Sequence, residues 1–220
     1  MSVLISSDIL LLGRRKYYDW APRNIFKDCN DIGAADMTST TKRYNVASRL
    51  IHWVMALLVL GMIPVGFVMV QDGISRGLQN FLFIAHKNVG VLLLILIFVR
   101  LFNRWRNPPS LQPVKLARVQ ELAAQLTHIA LYGLLLIMPL AGYIRVKAGG
   151  FPIESLDALG IPALVLRSDA LAEAAKNVHF YGAYAVAAFV LMHIGAACFH
   201  GLVRKDGVFS RMWPPVGKGT

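Results

Sequence analysis

The chain has 220 residues, of which 56% are hydrophobic and only 16% charged, and its mean hydropathy is +0.53. This composition excludes an ordinary soluble domain, because the apolar residues fall in blocks rather than alternating with polar ones. A formal net charge of +11 would suit a nucleic-acid partner, but its distribution along the chain argues for topology instead.

Residues 1–36 have no clear period, and the apolar run Val3–Leu12 is short and broken by Ser6, Ser7 and Asp8. It lacks the basic leading region of a signal peptide. The segment reads as a loosely ordered tail. Met37 opens a stretch that would make a complete start by itself, so one domain is expected over 37–220. Four apolar blocks follow, at about Val46–Val70, Phe81–Phe102, Leu122–Ile144 and Val178–Val203. Each can cross a hydrocarbon core of about 30 Å as a helix of around 20 residues. The expected fold is an all-α membrane protein, a bundle of four transmembrane helices.

The link at 71–80 is short, and Pro108, Pro109 and Pro113 stop the second helix from continuing through 103–121. The longest connection, 145–177, carries Gly149, Gly150, Pro152 and Pro162. It ends in the helix-favouring run SDALAEAAKN, where Ser168 can cap a lead into the fourth span. Loops of that length usually carry function or cover a site.

Lys42, Arg43 and Arg49 precede the first span; Arg104, Arg106, Lys115 and Arg118 separate the second from the third; Arg204, Lys205, Arg211 and Lys218 follow the fourth. The two intervening loops are nearly neutral. This positive-inside pattern predicts that both termini are cytoplasmic, and no nucleic-acid partner is expected. Cys29 and Cys198 are the only cysteines. They support neither a disulfide framework nor a thiolate cluster, and no C-x-x-C-H haem attachment is present.

His179 and His193 lie fourteen residues apart in the fourth block. At about 100° and 1.5 Å per residue they share one face, about 21 Å apart along the axis. A polar ring inside a membrane span is costly without a partner or a task. The predicted topology puts His52 and His193 near the cytoplasmic face and His86 and His179 near the outer one. Depth therefore pairs His52 with His193 and His86 with His179. Paired imidazoles from facing helices are how a bundle holds haem, and with both axial positions filled the iron can only pass electrons.

Gly66 lies fourteen after His52, and Gly142 fourteen after His128, leaving gaps at the outer level where a porphyrin needs room. Gly90 and Gly182 lie within a turn of His86 and His179, and small residues also serve plain helix packing. Arg100, fourteen after His86, and Arg49 could pair with propionates of the inner haem or simply snorkel to the interface. His128 competes with His52 as the partner of His193, or takes a polar role near a quinone or propionate. His200 reads as a solvated interfacial residue, and Trp53, Trp105 and Trp213 as interfacial anchors.

The chain resembles the bacterial cytochrome b561 family through R-Y-N-x-x-x-R-x-I-H-W at Arg43–Trp53, I-A-H-K-N-V-G at Ile84–Gly90 and V-R-L at Val99–Leu101. H-x-x-L-Y-x-L-L-x-x-M-P-x-x-G at His128–Gly142 and H-x(13)-H at His179–His193 extend the likeness over about residues 40–215. The resemblance implies a four-helix di-haem b protein of the cytoplasmic (inner) membrane that exchanges electrons with ubiquinone, with His52, His86, His179 and His193 matching the family's iron ligands. For some members it implies a superoxide:ubiquinone oxidoreductase. Lys87, Arg145, Lys147 and Lys176 are then candidates to steer the superoxide anion, although the same loop holds four acidic residues. A competing expectation is a b-type anchor subunit serving a hydrogenase or dehydrogenase. A histidine-lined metal-ion transporter or purely structural bundle would differ from both in being colourless.

Overall fold

The computed structural model describes residues 43–108 and 116–215. The expected tail at 1–36 and the prolines Pro109 and Pro113 lie outside the described residues. Four helices are long and apolar enough to cross a membrane: α1 (Val46–Val68), α2 (Arg76–Arg106), α3 (Arg118–Ala148) and, after a short α4 (Glu154–Ala158), α5 (Asp169–Cys198). No strand occurs among the described residues. The chain is an all-α, multi-pass membrane protein.

Three of the spanning helices, α1, α2 and α5, begin where a side chain satisfies a free amide. Asn45 accepts from the Ser48 amide at 2.7 Å, Ser75 from Leu78 at 3.4 Å and Ser168 from Leu171 at 3.3 Å. The last three spanning helices run to 31, 31 and 30 residues, longer than their apolar blocks. Their charged ends extend past the roughly 30 Å of hydrocarbon that about 20 residues cross. α3 stops where Gly150 takes φ +80°, a conformation that costs glycine nothing. α5 continues into a π-helical turn over Phe199–Arg204.

α3 packs along α5, and α2 lies against both α1 and α3. The best-buried layer comprises Met55 and Val59 of α1, Leu93 and Ile97 of α2, and Val186 of α5. Val186 is seven residues from both His179 and His193, so this apolar layer lies midway between the two histidine levels. Around the outside, Leu57, Ile129, Leu191 and many other large apolar side chains are exposed, as a lipid-facing surface requires.

Two connections return over the ends of the bundle. The segment holding α4 covers the His86 end. At the opposite end the chain after the π turn folds back as a strap under α1: the Tyr44 amide donates to the Arg211 carbonyl at 3.1 Å, Arg49 Nη1 to Pro214 at 2.7 Å and Trp53 Nε1 to Met212 at 2.9 Å.

Candidate functional site

The histidines gather at two levels. His86 of α2 and His179 of α5 have ring centroids 6.0 Å apart, and His52 of α1 and His193 of α5 stand 6.1 Å apart. An imidazole nitrogen sits about 2 Å from a metal it binds, so two rings flanking one metal have centroids roughly 6 Å apart. Both separations suit a planar metal cofactor held between the rings. His128 of α3 comes to 5.6 Å from His193, so the His52 end is a triad.

At the His86 end the rings border a cavity of about 850 Å³, within the range of about 300–1,000 Å³ typical of enclosed ligand sites. A carbonyl can only accept, so the 3.0 Å contact of His179 Nδ1 with the Met138 carbonyl makes Nδ1 the donor and leaves Nε2 as the free nitrogen. His86 Nδ1 is buried without a hydrogen-bond partner. Such an orphan in a histidine ring beside a large cavity fits residues built to hold a bound group. The glycine gaps have unexpected occupants. A Cβ added at Gly66 would come 3.1 Å from His86 Cε1, and one at Gly142 would come 3.2 Å from His179 Cε1. The room expected for a porphyrin is taken by the edges of the imidazoles opposite.

A roof of ion pairs closes this end. Lys87 Nζ donates to Glu154 Oε1 at 2.6 Å and to the Pro152 carbonyl at 2.8 Å. Asn88 Nδ2 donates to Glu154 Oε2 at 3.1 Å, and Asn88 Oδ1 accepts from the Ser155 amide at 2.9 Å. Burial pushes the Glu154 carboxyl up, but the hydrogen bonds from Lys87 and Asn88 and the Lys87 charge outweigh it and hold the group below its ordinary value. Lys147 pairs with Asp157, and that hydrogen bond is the main reason Asp157 also titrates low. Lys176 pairs with Glu173 at 3.0 Å on the exposed surface. Of the four expected steering cations, Arg145 alone forms no ion pair among the described residues, and it lines the cavity. The acidic residues of the loop thus neutralise the lysines one by one.

At the His52 end, Arg100 lies within electrostatic reach of all three rings. Arg49 is 1% exposed and turned to the strap. Trp53 is more than an interfacial anchor: its ring meets His52 at 5.7 Å and Trp213 at 5.2 Å. His200 is not a solvated residue either. Its Nδ1 lies 2.6 Å from Asp206 Oδ2, with both side chains mostly buried. Burial raises the Asp206 carboxyl, but the His200 hydrogen bond and the Val208 amide bring it below the usual range.

Sequence reading passed over Asn88, Tyr132 and Arg104 as site residues. Asn88 follows His86 by two. Tyr132 and Arg104 each fall one turn after a residue already singled out, His128 and Arg100, and that i, i+4 spacing was the available signal.

The model of prokaryotic cytochrome b561 matches residues 43–215. The chain is 33% identical over 175 residues to cytochrome b561 homolog 2 of Escherichia coli (strain K12), covering 80% of this chain and 93% of that protein. It is 29% identical over 177 residues to cytochrome b561 homolog 1 of the same organism, covering 78% and 97%. It is 27% identical over 176 residues to the probable superoxide oxidase CybB of Yersinia pestis, covering 79% and 97%. Membership implies b-type haem, which the histidine spacing and cavity described above fit, and makes electron transport in the membrane the chain's work. The chain belongs to the prokaryotic cytochrome b561 family.

Proposed function

We propose that residues 37–220 form one cytochrome domain that carries electrons across a bacterial inner membrane through two b haems, with both termini cytoplasmic. One haem is held by His86 and His179 near the outer face, the other by His52 and His193 near the cytoplasmic face. The observation that carries this is the pair of ring separations, 6.0 and 6.1 Å, at two levels divided by the apolar layer around Val186. One-electron oxidation and reduction at iron is the chemistry a haem supplies. The chain's part is to fix the ligands and shield them. Met138 holds His179 in the tautomer whose Nε2 is free, and the roof over Lys87 and Glu154 screens the outer rings from water.

The electron acceptor is membrane ubiquinone, which takes two electrons and two protons to become quinol. The outer donor is a small one-electron anion, and superoxide, leaving as dioxygen, fits. The name of the Yersinia pestis relative supports that choice. With its lysine neighbours paired, Arg145 is the cation that draws an anion to the outer site.

An optical spectrum of the purified protein, oxidised and then reduced, tests the reading: two low-spin b haems per chain are expected. A colourless protein, one haem per chain, or high-spin iron overturns it. Reduction by superoxide should slow as salt rises, and Arg145→Gln should flatten that dependence, because screening shortens the reach of a charge to about 8 Å at 0.15 M ionic strength. A rate indifferent to both would remove superoxide and favour an anchor subunit reduced by a partner enzyme.

A further inference from the structure

The His52 end holds positive charge that the histidines do not use. Arg100 and Arg104 lie one turn apart on α2, with guanidinium carbons 5.7 and 6.0 Å from the ring centroid of Tyr132 on α3. Arg100 is half-buried, its hydrogen bond to the Ser48 carbonyl is long at 3.4 Å, and neither arginine forms an ion pair among the described residues. Together with Tyr44, Ser48 and Met212 these three side chains line a niche of about 10 Å³, room for about one water-sized oxygen. A partly desolvated guanidinium is costly without an anion. Its planar fork favours an oxyanion with two acceptor oxygens.

Within reach of Arg100 are the three inner rings, and a haem between two of them would carry carboxylates on one edge. We propose that Arg100, Arg104 and Tyr132 form an oxyanion niche that binds a propionate of the haem at the His52 end, with the C-terminal strap closing it at Met212; this rests on the two-haem reading above. It separates two arginines that the sequence treats alike. Arg100 holds the ligand, whereas Arg49, bonded to the Pro214 carbonyl at 2.7 Å, keeps the strap in place.

The test is haem transfer from the detergent-solubilised holoprotein to excess apomyoglobin, with a redox titration of the same samples. Arg100→Gln and Arg104→Gln should each release one of the two haems about tenfold faster than the parent, the factor that about 1.4 kcal/mol supplies. The other haem should leave at the parental rate. The midpoint potential of the loosened haem should fall, because a neighbouring positive charge is gone, and that of the other should stay. Tyr132→Phe keeps the ring and should show the same pattern more weakly, so it remains informative if an arginine variant does not fold. Parental release rates and potentials in all folded variants overturn the niche while leaving two haems in place. So does a fall in tightly bound phosphorus per chain without faster haem loss, which would make the niche a phospholipid-headgroup site. A parent protein without two haems fails the earlier reading instead.

Discussion

The two ends of the bundle hold similar imidazole pairs in different surroundings. The His86 end is a large cavity under a roof of ion pairs supplied by one loop. The His52 end has a third histidine, Arg100 and Arg104 without an ion pair among the described residues, and a strap tied mainly by backbone carbonyls. The charge at the first end is mostly cancelled, whereas at the second Arg100 and Arg104 meet no carboxylate among the described residues. Under the two-haem reading, the same ring spacing would therefore be tuned separately at each end, through nearby charge and exclusion of water.

The largest effects should come from the ligands themselves. His86→Ala and His179→Ala should each remove one haem and spare the other, read from haem content and spectrum, because the two pairs share helices but no ligand. Loss of both haems from folded protein would mean the ends are not independent. The triad sharpens the contrast: His193→Ala should abolish the inner haem, and so should His52→Ala. An inner haem that survives His52→Ala with an unchanged bis-histidine spectrum would make His128, 5.6 Å from His193, the true partner.

Next are Gly66→Ala and Gly142→Ala, whose new methyls would approach ring carbons at 3.1 and 3.2 Å. Overpacking of this kind costs about 1–3 kcal/mol. It should lower the melting temperature and shift the spectrum of the outer haem alone. An inner-haem shift of equal size would break the comparison.

Trp53→Phe removes the donor to the Met212 carbonyl, an expected loss of about 1 kcal/mol. Amide exchange should quicken in the strap and not in the roof. The smallest effect is the pH response of the roof. Glu154 titrates below its ordinary 4.5 when folded, so its contribution is fully present above that value and is lost as pH falls through the lower folded value. An exposed pair of this type is worth at most about 1 kcal/mol. The Ser155 amide, which donates to Asn88, should exchange faster in that acid window after correction for intrinsic rates, and Glu154→Gln should remove the pH step. A step that persists in the variant would assign it to another group.

Hydropathy blocks were enough to place four spans, since about 20 apolar residues have few other uses. His52, His86, His179 and His193 could be sorted by depth from charge and spacing because both are one-dimensional quantities. The roof helix Glu154–Ala158 was hidden, being too short to show a period. The strap was hidden because Arg49 and Trp53 bond to carbonyls 165 and 159 residues away, and a carbonyl has no sequence signature. Lys87 and Lys147 were legible as cations, and the acidic residues of the loop as a possible counterweight, but which carboxylate meets which lysine shows only after α4 folds over α2 and α3. Gly66 and Gly142 were read correctly as gaps, and only the packed bundle reveals that imidazole edges fill them.

The layer of Met55, Val59, Leu93, Ile97 and Val186 contains no group that can accept or release a proton. Its five side chains offer no proton carrier, so under the proposed reading an electron passing between the levels moves net charge. Fourteen residues of α5 separate the levels by about 21 Å of a roughly 30 Å core, or about two-thirds of the membrane potential. At about 2.3 kcal/mol per charge per 100 mV across the whole bilayer, an electron moving inward under the proposed orientation works against roughly 1.5 kcal/mol per 100 mV. Under the proposed two-haem reading, the rate of electron delivery to the inner face would thereby be coupled to the energised state of the membrane.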